Sequence, residues 1–119
     1  MKTSIIVRFQ FDGIHFWPEC PFTEVDFLRT PHRHVFHVEL RKRVTHEDRD
    51  IEIIMLKRKV EQHCRSQYAN AGTKSCETIA REILQQFDLD MVQVLEDGEN
   101  GAVVEAPFMA DLRYSRDVR

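Results

Sequence analysis

Pro31-His32-Arg33-His34-Val35-Phe36-His37-Val38 is the stretch on which the fold assignment turns. It has the composition of a β-strand, with His-x-His near its start. Residues two apart on a strand leave the same face, so His32 and His34 can approach one object together. Two imidazoles so placed suit a metal ion, with Zn–N bonds of about 2.0–2.1 Å. An isolated His-x-His is more often a pair of surface histidines on a half-exposed strand, so the flanking sequence has to decide. His37 falls on the opposite strand face and drops out of the set.

Upstream, residues 4–11 alternate, with Ile5, Val7, Phe9 and Phe11 on one face and Arg8 and Gln10 on the other. This predicts a strand with one buried side. Asp12-Gly13 is a natural bend, followed by Ile14-His15-Phe16-Trp17. His15 thus ends the first strand, where it can face His32 and His34. Three imidazoles are the usual protein share of an open catalytic zinc site. Between the strands runs a loop marked by Pro18, Pro21 and Pro31 and carrying Glu19, Glu24 and Asp26. The second strand is expected over roughly 33–44, ending in Arg41-Lys42-Arg43, and the two strands suggest an antiparallel ribbon.

Downstream, Asp48-Arg49-Asp50 is a polar turn in which His46 is expected to be solvated. Ile53, Leu56, Val60 and Cys64 recur at helical spacing, predicting an amphipathic helix over 52–66 with Lys57-Arg58-Lys59 on its wet side. Residues 68–72 are expected as a loop. Ser75 has the character of an N-cap, with Glu77 in the first turn. Ile79, Ile83, Leu84 and Phe87 form the apolar stripe of a second helix ending near Asp88. Met91 to Glu96 is a third strand, Asp97 to Gly101 a turn, and Ala102 to Glu105 a fourth strand. The order β-β-α-α-β-β predicts one α+β domain over residues 1–119, with its core at about 4–105 and a tail over 106–119.

A chain of 119 residues is long enough for one real core. Its 42% hydrophobic and 31% charged residues are ordinary for a soluble globular protein. A formal charge of -3 argues against a nucleic-acid binder, and a basic run is common at an exposed strand end. No apolar run is long enough to cross a bilayer, and the N-terminus does not have the pattern of a signal peptide. Cys20, Cys64 and Cys76 form no CxxC pair and leave an odd thiol, which points to a reducing cytoplasm.

Five segments, in order, resemble the 6-pyruvoyl-tetrahydropterin synthase and 6-carboxytetrahydropterin synthase family. Phe9-Gln10-Phe11-Asp12-Gly13-Ile14-His15 resembles its first strand, and the stretch from Pro31 to Val38 its His-Gly-His strand. Ile51-Glu52-Ile53 with Leu56-Lys57 is similar to the entry of its first helix, and Ser75-Cys76-Glu77-Thr78-Ile79-Ala80 to the start of its second. Val92-Gln93-Val94-Leu95-Glu96 resembles the strand whose terminal glutamate grips the pterin. The resemblance covers about residues 5–105. It implies the tunnelling fold: a four-stranded antiparallel sheet with two helices on one face, assembled as a homo-oligomeric ring (trimer or hexamer) with pockets between subunits. It further implies zinc on His15, His32 and His34, a pterin or purine-like ligand on Glu96, and lyase chemistry on dihydroneopterin triphosphate or a relative. A carboxylate can accept two parallel hydrogen bonds from a 2-amino-pyrimidinone edge, as it does from an arginine fork.

The chain departs from the family at the base. The usual cysteine, four residues before the first histidine of His-x-His, is Leu28 here. The family's Asp-His pair aligns with Glu61-Gln62, with His63 one place further on, and the first helix is about two turns short. Arg33 stands where the family has a small residue. His63, Cys20 and Glu61 are the catalytic candidates, with Glu24 and Asp26 as further acids of the loop; a lone cysteine such as Cys20 is more often an inert thiol. Three readings follow: a zinc-dependent pterin lyase, a zinc-containing pterin or purine binder that has lost the chemistry, and a small cupin-like metal protein built on His32, His34 and Glu39. The two helical segments weigh against the last.

Overall fold

The alternation of the first strand carries on past Asp12-Gly13. In the computed structural model, which describes residues 1–107, strand β1 runs unbroken over Thr3–His15. Val7, Phe9, Phe11, Gly13 and His15 lie on its covered face, with Arg8, Gln10, Asp12 and Ile14 on the other. The bend expected at Asp12-Gly13 is therefore absent. Gly13 is needed for close approach instead: a Cβ there would lie 2.6 Å from the Tyr68 carbonyl oxygen and 2.8 Å from the Phe36 ring. The part of the expected tail from residue 108 onward lies outside the described residues.

Strand β2, His32–Val44, pairs antiparallel with β1 along its whole length. The register sets like against like on the covered face: Val7 opposite Leu40, Phe9 opposite Val38, Phe11 opposite Phe36, and His15 opposite His32. Helix α1, Ile53–Gln67, starts where the Glu52 side chain accepts the Ile54 N–H at 2.7 Å. Val60 and Cys64 are buried and Leu56 packs against the core, whereas Ile53, in the first turn, stays half exposed.

The segment expected as a loop after α1 contributes strand β3, Asn70–Gly72, parallel to the end of β1. The end of β1 gains main-chain partners there, Ile14 N–H to Ala69 O at 3.1 Å and Phe16 N–H to Gly72 O at 2.9 Å. Helix α2, Cys76–Gln86, is capped by Ser75, whose Oγ accepts the Thr78 N–H at 3.2 Å. Strands β4, Met91–Glu96, and β5, Asn100–Glu105, complete the sheet as a hairpin. The sheet is thus five-stranded and mixed, in the order β3-β1-β2-β4-β5, rather than four-stranded and antiparallel.

Both helices cover one face, α1 over β1 and α2 over β4 and β5. Between the helices and the sheet, Phe36, Leu40, Val60, Ile79, Ile83, Val92 and Val94 are fully buried. Phe11 stacks on Phe36 at 5.2 Å between ring centroids. Each such side chain contributes about 1.5–3 kcal/mol by leaving water. The basic run at the end of β2 is offset locally, Arg41 by Glu39 at 3.3 Å and Lys42 by Asp88 at 3.4 Å. Among the described residues, no helix is long and apolar enough to cross a membrane.

Candidate metal centre

The same register that builds the core builds the site. On the covered face, the apolar positions of β1 and β2 give way at one end to His15, His34 and His32. The three rings gather at centroid distances of 4.6 Å (His15–His32), 5.2 Å (His15–His34) and 4.9 Å (His32–His34). One ligand atom from each lies within 4.8 Å of the others. Phe36 forms the floor, 5.4 Å from His15 and 5.8 Å from His34.

Every ring is held by its Nδ1. His15 Nδ1 donates to the Lys74 carbonyl at 3.0 Å, His32 Nδ1 to the Thr30 carbonyl at 2.9 Å, and His34 Nδ1 to Asp97 Oδ2 at 2.7 Å. A carbonyl or carboxylate can only accept, so each Nδ1 carries the proton, and a ring in its neutral form keeps its Nε2 lone pair free. All three Nε2 atoms are buried and have no hydrogen-bond partner among the described residues. Buried polar atoms are ordinarily satisfied, and imidazoles whose far nitrogen is fixed by an outer acceptor are typical metal ligands. The cluster fits a metal ion.

Two acids flank it, Glu96 at the end of β4 and Asp97 in the turn to β5. Glu96 Oε2 lies 2.9 Å from His15 Nε2 and 3.6 Å from His34 Nε2. The distance to His15 is that of a hydrogen bond, but the direction is not. Glu96 pushes the His15 pKa up against the opposing effect of burial, and His15 in turn holds the Glu96 carboxyl below its ordinary value. Asp97, at φ 55°, turns its carboxylate back onto β2: Oδ1 accepts the Val35 N–H at 3.0 Å while Oδ2 holds His34. These bonds, that to His34 first, hold the Asp97 carboxyl low. Sequence reasoning missed Asp97 as a site residue. Asp97-Gly98 signals a tight turn, and nothing local announces that its carboxylate reaches a histidine 63 positions away.

On the other side, Lys74 donates its ammonium to Glu82 at 2.9 Å, and Tyr68 donates its hydroxyl to the same oxygen at 2.9 Å. This ties down the segment whose carbonyl holds His15. Beside the histidines opens a cleft of about 390 Å³, lined by Trp17, Leu28, Lys74, Cys76, Glu77 and Glu96 among others. Leu28 therefore faces the cleft. Cys76 also borders it, but burial first, then Glu96 and Glu77, push its thiol up to about 12, which disfavours the thiolate. A larger recess, of about 540 Å³, lies around Arg8, His37, Glu39 and Glu61, and none of His15, His32 and His34 lines it.

The three catalytic candidates are not brought to this cleft within one chain. Cys20 is buried, with its Sγ 3.7 Å from the Phe22 carbonyl oxygen and 3.9 Å from that of Val25. Glu61 pairs with Arg65 at 2.7 Å. His63 packs edge-on to Phe87 at 5.1 Å, in a separate recess with Tyr68, Lys74 and Glu82. Glu24 and Asp26 are carried on a 3₁₀ segment, Thr23–Arg29. Arg33 does not crowd the histidines: it reaches Asp12 at 3.0 Å, on the uncovered face. Glu39 is engaged by Arg8 at 2.7 Å on that same face, so it does not join His32 and His34 as a cupin-like set would require. His46 is exposed beside Asp50, at 3.7 Å. All three cysteines are buried free thiols. No protein-family model matches the chain, and no curated protein matches it. Fold and site together define an α+β protein with a three-histidine cluster able to hold a metal ion.

Proposed function

We propose that the chain is a zinc-holding protein of the 6-pyruvoyl- and 6-carboxytetrahydropterin synthase type, with the tunnelling fold, that takes a dihydropterin into the cleft beside His15, His32 and His34. The observation that carries this is the set of three buried Nε2 atoms without a partner, each on a ring fixed through Nδ1. Three neutral imidazoles are the donor set of an open zinc site. Zinc held there supplies Lewis-acid polarisation of the oxygens on a hydroxylated pterin side chain, easing removal of a neighbouring C–H proton. Glu96, on the rim of the cleft, accepts the paired N–H and NH₂ of the pterin edge. Trp17 and Leu28 give the ring an apolar wall. The outer edges of β1, over most of its length, and of β5 pair with no other strand among the described residues. Open edges of this kind favour a ring of several copies.

A second reading, a pterin or purine binder without turnover, is favoured by one specific observation. Leu28 lines the cleft and cannot transfer a proton, while Cys20, Glu61 and His63 do not line it. Incubating the zinc-loaded protein with dihydroneopterin triphosphate and identifying the products separates the two. A pterin with an altered side chain is the expected result of the enzyme. Tight binding with unchanged substrate selects the binder. Neither binding nor turnover across a panel of pterins and purines sinks the pterin reading.

A further inference from the structure

Glu96 is placed to serve both the cluster and a pterin edge. Two parallel hydrogen bonds from an N–H and an NH₂ occupy both oxygens of a carboxylate. Yet Oε2 is already turned onto the histidines, 2.9 Å from His15 Nε2 and 3.6 Å from His34 Nε2. Oε2 is thus set against two of the three imidazoles that would hold the metal. The carboxylate makes no directed hydrogen bond to either ring nitrogen. Its backbone fixes it there: Glu96 pairs with Phe36, so it stands on the covered face one strand across from His34. The residue also borders the cleft, so the same side chain faces both the histidines and an incoming ligand.

From these placements we infer that Glu96 is a fourth protein ligand of the metal while the cleft holds no pterin, and that a pterin edge draws its carboxylate off, opening that metal position to the ligand's own oxygens. The inference rests on the metal-and-pterin reading above. Its consequence is a gate built into specificity. A small oxygen ligand lacking the guanidine-like edge finds the coordination closed, whereas a pterin opens the position it then uses. No bond within the ligand changes in this exchange; one carboxylate oxygen trades a metal for an N–H donor.

Cobalt(II) in place of zinc makes the coordination visible by absorption. Wild type and Glu96→Ala are titrated with Co²⁺ and then with unsubstituted pterin, which carries the edge but no side-chain oxygens. Loss of an outer partner alone costs about 10–100-fold in metal affinity. Loss of a ligand should therefore weaken Co²⁺ binding by more than about 100-fold and change the visible spectrum. Pterin added to wild type should move its spectrum toward that of the variant, with binding followed independently by pterin fluorescence. Equal Co²⁺ affinity and superimposable spectra overturn the inference, as does a wild-type spectrum unmoved by bound pterin. A wild type that binds no Co²⁺ overturns the metal reading itself, and one that binds Co²⁺ but no pterin overturns the pterin reading; both outcomes are distinct from an unaltered variant.

Discussion

The middle and one end of the same sheet face make an instructive pair. In the middle, Phe9, Phe11, Phe36, Val38, Leu40, Val92 and Val94 are buried and apolar. One or two positions further along the same strands, on the same face, stand His15, His34, His32 and Glu96. The apolar region is stabilised by burial and close packing alone. The polar end leaves three buried nitrogens unmatched, and an orphaned buried polar atom costs about 1–3 kcal/mol. A fold tolerates such an end where something binds it, so the two regions should respond in opposite ways to mutation.

The largest expected effect lies in the middle. Leu40→Ala should cost about 2–5 kcal/mol of folding stability, read by urea denaturation of metal-free protein, while the metal affinity of the folded fraction is retained. At the polar end, His32→Ala should leave metal-free stability unchanged or raised. It should abolish the metal-linked gain, which for wild type amounts to about 2.7 kcal/mol at a metal concentration 100 times the Kd. A large loss of metal-free stability in His32→Ala would erase the contrast. Asp97→Asn keeps the turn and an acceptor for His34 but removes the charge. Metal affinity should fall by about 10–100-fold with little change in unfolding, and an unchanged affinity would mean that Asp97 only shapes the hairpin.

The smallest effect is one of pH. Burial pushes the Glu82 carboxyl up, but the hydrogen bonds from Lys74 and Tyr68 outweigh it and hold the group below its ordinary value of 4.5. A depressed carboxyl stabilises the fold above its unfolded pKa, and that contribution is lost as pH falls through the folded value. Wild type should therefore lose stability below about pH 4.5 more steeply than Glu82→Gln, as followed by thermal unfolding of metal-free protein. Parallel pH profiles would remove Glu82 from the support of the Lys74 carbonyl.

Much of this contrast is legible in the sequence because strand parity is local. His32, His34 and Phe36 share a parity, as do Phe9 and Phe11, so each common face follows from counting; His15 joins the second set only because the strand runs straight through Asp12-Gly13. Ser75 and the α2 stripe are equally local signals. What was illegible depends on distant partners. Gly13 reads as a bend until Tyr68 and Phe36 are seen to crowd it. Strand β3 has only three residues, too few for any periodicity, and forms because the end of β1 needs partners. The carbonyls of Lys74 and Thr30 and the carboxylate of Asp97, which fix the imidazoles, carry no signature in composition or spacing.

Metal analysis of the purified protein tests the central claim most directly. Wild type should carry, or take up from added zinc, one metal ion per chain, and His32→Ala should take up none under the same conditions. A wild type that stays metal-free with zinc in excess, or a His32→Ala variant that still binds one equivalent, would contradict the assignment of His15, His32 and His34 as a metal centre.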